Sequence, residues 1–211
     1  KINTHENTVT GVETKDGKIF RAARYICNMD PQKASYMIGR DKFPKSYIRK
    51  LDYDYSASGV MIYLGLKDID LRKYGFGSYN IWHLEQWDMN KMWREQADGN
   101  FEKPWIFMST PTLHTKEKGT SPDGGQILEI ASYIEYEPFK SRQEDSYEQY
   151  FRFKNKIANR MIEIVEKKYI PNLRKHIQVQ SIGTPVTNED FCMASRGNAY
   201  GSNMTPKNVG L

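Results

Sequence analysis

The side chains best suited to proton transfer are four histidines, His5, His83, His114 and His176, and Glu129 inside the apolar run ILEIASY. The histidines are scattered, and none has the paired spacing of a metal site. His83 sits among aromatic neighbours, Trp82 and Trp87. That setting suits a hydrogen-bonded structural ring better than a general base. Glu129 has two readings. A carboxyl among apolar strand residues is a candidate acid with a raised pKa. It is equally placed to point from the solvent face of a half-buried strand, and this second reading is preferred. The chain lacks a G-x-G-x-x-G or Walker loop, an HExxH pair and a G-x-S-x-G elbow. No catalytic residue and no metal ligand is assigned. The two cysteines, Cys27 and Cys192, belong to no C-x-x-C or Cys/His cluster. They are expected to be buried free thiols, with a disulfide between them left open.

Aromatic and methionine side chains are abundant where strands are predicted. Met61, Tyr63, Trp82, Phe107 and Met108 are the candidates for a ligand cavity, with Tyr79, Trp87, Met92, Trp93 and Trp105 nearby in sequence. Such residues can line an apolar cavity, and methionine adapts to a flexible ligand. Each is also an ordinary core residue taken singly.

Elements that would position these residues follow from pattern. Thr8–Thr14 alternates as a strand, Asp16-Gly17 signals a hairpin, and Lys18–Ala22 is the return. Arg24–Asn28 reads as a further strand. Asp30-Pro31 opens a helix that stops near Gly39, because Asp caps free amides and Pro suits the first turn. A short helix starts at Pro44. Ser56–Leu66 has few charges and is predicted to be a strand buried on both faces. Ser78–Glu85, Pro104–His114 and Gly124–Tyr136 are further strands, with a helix from Asp88 to Gly99 between the first two. Glu144 to Tyr169 is the strongest helix. Tyr150, Ile157, Met161, Ile164 and Val165 share one arc, and Arg152, Lys156, Arg160 and Lys167 lie opposite. Ile177–Pro185 returns as a strand, and a short helix follows, capped by Thr187 or Asn188. The closing run carries Gly183, Gly197, Gly201 and Gly210.

The class is therefore α+β: a mixed, mainly antiparallel sheet with helices packed on one side. With 211 residues, 38% hydrophobic and 13% aromatic, the chain can bury a core. No apolar run reaches the ~18 residues of a membrane span. The net charge of +5 concentrates in Arg40–Lys50 and Arg152–Arg160. Neither stretch matches a nucleic-acid motif, so no nucleic-acid partner is expected.

Three segments carry a family resemblance. DGKIFRAARYICNMDPQKA (Asp16–Ala34) resembles the DG…A-x-x-V-I-x-N-x-D-P segment of the phytoene desaturase family. PWIFMSTPTLH followed by SPDGGQILEIASY is similar to that family's strand pair. GTPVTNEDFCMASRGNAYGS (Gly183–Ser202) is similar to its T-P-x-T…G-x-x-Y-G segment. The order and spacing agree across nearly the whole chain. The family includes carotenoid desaturases, carotenoid isomerases and retinol saturases, all FAD-dependent.

The resemblance implies an internal piece of a longer flavoprotein, whose remainder would be its partner. Residues 1–39 would be a margin of the FAD domain, 43–180 the substrate domain, and 181–211 a truncated return toward the FAD domain. Asn28, Asp30, Gly197, Tyr200 and Gly201 would lie near the flavin. Glycine there would allow the backbone to approach a flat ring. The expected activity is flavin-mediated hydride or electron transfer on a hydrophobic isoprenoid, carotenoid or retinoid. Desaturation, saturation and isomerisation are not separated by these residues. The expected location is cytoplasmic or peripheral to a membrane. The alternatives are an amine-oxidase-type flavoprotein, and a non-enzymatic lipid or membrane-surface module using the basic helix arc.

Overall fold

The computed structural model describes residues 1–115, 117 and 119–209; of Val209 only the backbone is described. The Gly210 turn expected near the end lies outside the described residues. The chain forms two units, Lys1–Ser56 with the segment from Gly201 onward, and Ala57–Tyr200.

In the first unit, β1 (Ile2–His5), β2 (Thr8–Glu13) and β3 (Ile19–Phe20) form an antiparallel sheet in that order. The predicted turn is there, with Gly17 at φ 81°. β1 has no counterpart in the sequence reading. Helix α1 (Pro31–Ile38) starts as predicted: the Asp30 carboxylate accepts from Gln32 N at 2.8 Å. Its other oxygen accepts from the Tyr55 hydroxyl at 2.6 Å. Helix α2 spans Lys45–Lys50. The returning tail is tied by Ser56 N to Gly201 O (2.8 Å) and Asn203 N to Asp54 O (2.7 Å), and ends in a helical turn, Pro206–Val209.

Arg24–Asn28 is not a strand. Ile26 is 97% exposed, and the segment has no ladder partner among the described residues. Isolated extended backbone bonds to water instead of a neighbouring strand. Cys27 and Cys192 are free, as expected, but both are exposed rather than buried.

The second unit is built on a five-stranded antiparallel sheet. It contains β4 (Ser58–Leu66), β5 (Ile81–His83), β6 (Ile106–Ser109), β7 (Gln126–Ile134) and β8 (Ile177–Gly183), in the order β5-β6-β7-β4-β8. Its helices are α3 (Met89–Ala97), α4 (Pro111–His114), α5 (Glu137–Asp145), α6 (Tyr147–Lys168) and α7 (Pro185–Cys192). The α+β class with an antiparallel sheet is as predicted.

Local chemistry explains three departures. Ser146 caps Gln149 N at 3.1 Å and starts α6 at Tyr147, so the helix expected from Glu144 begins later, and Glu144 and Asp145 belong to the preceding α5. Pro111 opens a helical turn where the strand was expected to continue. Helix α7 is capped by Thr184 through a capping box with Thr187, earlier than expected.

Helix α6 buries the predicted arc, Tyr150, Ile157, Met161, Ile164 and Val165. These side chains share one core with Val60, Ile62, Leu64, Ile106, Met108 and Ile130 of the sheet. Burying each large aliphatic residue contributes roughly 1.5–3 kcal/mol before entropy is counted. The core therefore takes only one face of the sheet. Strand β4 alternates: Val60, Ile62, Leu64 and Leu66 are buried, while Met61 and Gly65 are half-buried and Tyr63 is exposed. The prediction of burial on both faces is corrected. Period-two side-chain alternation sends the second set to a face that α6 does not cover.

Candidate functional site

That second face carries a regular arrangement set by strand register. Trp82 pairs with Phe107, Phe107 with Ala131, Ala131 with Met61, and Met61 with Gly183. One rung thus crosses all five strands. The next rung is polar: Ser109 opposite Glu129, Glu129 opposite Tyr63, and Tyr63 opposite Ser181. A third, Ile127, Gly65 and Val179, is apolar again.

Aromatic contacts fix the first rung. Trp82 is 64% exposed, stacks on Trp105 (centroids 5.4 Å) and meets Phe107 edge-on at 5.0 Å. At the Tyr133 end, Trp93 of α3 stacks over the Tyr133 ring at 3.5 Å. Flat side chains held this way present an apolar platform at little entropic cost.

A cavity of about 610 Å³ opens beside the polar rung. Tyr63, Glu129, Ser181, Ile127 and Val179 line it, with the Thr120–Gly125 turn on one side. Burial pushes the Glu129 carboxyl above its usual range, offset in part by His114. Burial also raises the Tyr63 phenol, with Glu129 adding to the shift, so the hydroxyl stays protonated. Both sequence readings of Glu129 thus hold in part. It points from the half-buried face, and its carboxyl is raised.

Met61, Tyr63, Trp82 and Phe107 come together on this face. Met108 does not. It is 0% exposed and points into the helix-covered core, one position out of phase with Phe107. Met92 is likewise in the core. His83 faces away from the cavity: its Nδ1 lies 2.8 Å from the Tyr169 hydroxyl, and its Nε2 is 3.6 Å from Glu85. Burial lowers its pKa despite Glu85, as expected for a structural ring. Ser109, Ser181 and the pairing of Tyr63 with Glu129 had no sequence signal, because register is a non-local property.

The residues carried over for a flavin fall into two groups. Asn28 and Tyr200 are exposed, and nothing lies within 4 Å of a Cβ built on Gly201, so these positions have room for a group to approach. Asp30 is already engaged as the α1 cap and by Tyr55. Gly197 is buried, and a Cβ there would fall 2.1 Å from Pro185 O. The space beside Gly197 is filled by its own fold.

A larger cleft of about 980 Å³ lies between Asp98–Glu102 and α6. Its cations are largely engaged: Arg160 donates to Phe101 O and Glu102 O, and Arg174 pairs with Glu166. On the basic arc of α6, Arg152 pairs with Glu148, while Lys156 and Lys167 are exposed. Among the described residues no helix is long and apolar enough to cross a membrane.

The chain is similar to two oxidoreductases. Over 154 residues it is 26% identical to all-trans-retinol 13,14-reductase of Danio rerio, covering 69% of this chain and 25% of that protein. Over 203 residues it is 24% identical to 4,4'-diaponeurosporene oxygenase of Staphylococcus aureus, covering 95% of this chain and 38% of that protein. The resemblance drawn from the sequence agrees with both. The chain spans a quarter to two-fifths of the length of these relatives. No family model matches it.

Proposed function

We propose that this chain supplies the substrate-holding sheet of an FAD-dependent oxidoreductase acting on a hydrophobic isoprenoid of carotenoid or retinoid type. The observation that carries the proposal is the Trp82–Phe107–Ala131–Met61 rung on the sheet face that α6 leaves uncovered. An extended apolar molecule laid along it would contact two aromatic rings and an adaptable thioether. The names of the two relatives support the substrate class.

FAD, when bound, would supply hydride or electron-pair exchange. In the first unit, Gly201 and Asn28 are the residues with room to contact it. The residues of the open face would bind the substrate, orient it and exclude water. Uptake from a membrane surface is part of the same proposal, and it is supported by the exposed Lys156 and Lys167.

Titration of the 211-residue chain with all-trans-retinol, read by tryptophan quenching, tests the platform. Saturable binding is expected, weakened about tenfold in Trp82→Ala, in keeping with loss of a central aromatic contact. Absence of saturable binding would overturn the reading. Salt-sensitive co-sedimentation with anionic vesicles is expected if membrane uptake uses α6, and salt-independent or absent binding contradicts that part.

A further inference from the structure

The polar rung interrupts a face that is otherwise apolar. Ser109, Glu129, Tyr63 and Ser181 lie side by side across β6, β7, β4 and β8, with apolar rungs on both sides. An extended hydrocarbon would gain nothing from a carboxylate there. Leaving Glu129 half-buried costs free energy, as its raised carboxyl pKa shows. Directly opposite partners on neighbouring strands have Cβ atoms about 4.5–5.5 Å apart, so Glu129 and Tyr63 can reach one small group together.

Neither side chain is committed to a hydrogen-bond partner within the protein, and both are open to water. Among the described residues, no hydrogen bond is made by the Glu129 carboxylate or the Tyr63 hydroxyl. Both line the 610 Å³ cavity, a volume ordinary for a small-molecule pocket. An ionised carboxylate only accepts hydrogen bonds, and a protonated phenol can donate. The two together match a group that donates once and accepts once. A hydroxyl does both. An ether or ester oxygen only accepts, and a hydrocarbon does neither.

We propose that Glu129 and Tyr63 are specificity-determining residues that hold the hydroxyl end of an otherwise apolar, isoprenoid-length ligand, while the Trp82–Met61 rung holds its chain. This deepens the substrate-platform reading and rests on it. The ligand hydroxyl would donate to Glu129 and accept from Tyr63. Ile127 and Val179 would close over the carbon that bears it.

The test uses the 211-residue chain and three probes of one carbon skeleton: geranylgeraniol, its methyl ether, and the tetraene hydrocarbon without oxygen. Affinities are read by equilibrium dialysis. Wild type should bind the alcohol about tenfold more tightly than the ether, and the ether more tightly than the hydrocarbon, as expected for charged and neutral hydrogen bonds partly open to water. In Glu129→Leu the alcohol and ether should become equal, with both still ahead of the hydrocarbon. In Tyr63→Phe the ether and hydrocarbon should become equal. Should Glu129→Leu not fold by circular dichroism, Glu129→Gln should still narrow the gap between alcohol and ether.

Equal binding of all three probes to wild type, weakened together by Trp82→Ala, would overturn this inference and leave the platform standing. An unchanged preference in both the Glu129 and Tyr63 variants would also overturn it. Failure of every probe to bind would remove the platform and the inference together.

Discussion

Gly197 packs its Cα against the backbone of Pro185, so closely that a Cβ would fall 2.1 Å from the Pro185 carbonyl oxygen. The glycine also has φ 57°, which L residues disfavour by about 1–2 kcal/mol. Its carbonyl accepts from Ser58 and from Asn188 Nδ2. Gly197→Ala should therefore destabilise the chain by more than about 2 kcal/mol, since backbone must move to admit the methyl. Gly201 has φ 79° but open space around it, so Gly201→Ala should cost about 1 kcal/mol. Urea midpoints of the two variants check the contrast, and similar losses would contradict it.

Glu129 predicts a pH effect of known sign. Its carboxyl is raised above the 4.5 of an unperturbed glutamate. The folded chain holds that proton more tightly than the unfolded one, so this group favours folding at low pH. That contribution is lost as pH rises through the raised value. Glu129→Gln should unfold at a higher temperature than wild type at pH 7, and the gap should close as pH approaches 4.5. A variant less stable than wild type at pH 7 would contradict this. A stabilising substitution at a binding residue is the usual trade between stability and function.

His83 predicts the opposite slope. Burial lowers its pKa below 6.5, against Glu85, and the like charge of nearby Lys168 adds to the lowering. The Tyr169 hydroxyl faces Nδ1. The unfolded chain takes up a proton near pH 6.5 and the folded chain only below it, so stability falls as pH drops under 6.5. His83→Gln does not titrate and should lose less stability than wild type between pH 7 and 5. Thermal unfolding at the two pH values measures it, and equal losses would contradict it.

Thr184 is fully buried, caps α7 at Thr187 N, and lies 2.9 Å from the Tyr150 hydroxyl of α6. Thr184→Val keeps the shape but loses both polar contacts. The cost should be about 1–2 kcal/mol by urea unfolding. A loss under a few tenths of a kcal/mol would show that the cap contributes little.

Local signals carried over well into the structure. Asp30-Pro31 announced α1, Asp88 announced α3, and the arc of Tyr150, Ile157 and Met161 identified the buried face of α6. The faces of β4 were not legible. Met61, Tyr63 and Gly65 sit between Val60, Ile62, Leu64 and Leu66 with no charge among them, so hydrophobicity cannot say which set is covered. Phe107 and Met108 posed the same problem: similar in character, they point to opposite faces. The candidate site exists only through register between strands far apart in sequence. Trp82 meets Met61 on one rung by way of Phe107 and Ala131. No local pattern contains that pairing.

Met61 and Met108 provide the most direct test, because they lie on opposite faces of one sheet. With ¹³C-methyl-labelled methionine, assigned through Met61→Leu and Met108→Leu, the chain is titrated with all-trans-retinol. The Met61 methyl resonance is predicted to shift in step with binding, and that of fully buried Met108 to stay in place. A stationary Met61 signal, or a larger shift at Met108, would contradict an apolar ligand held on the uncovered face.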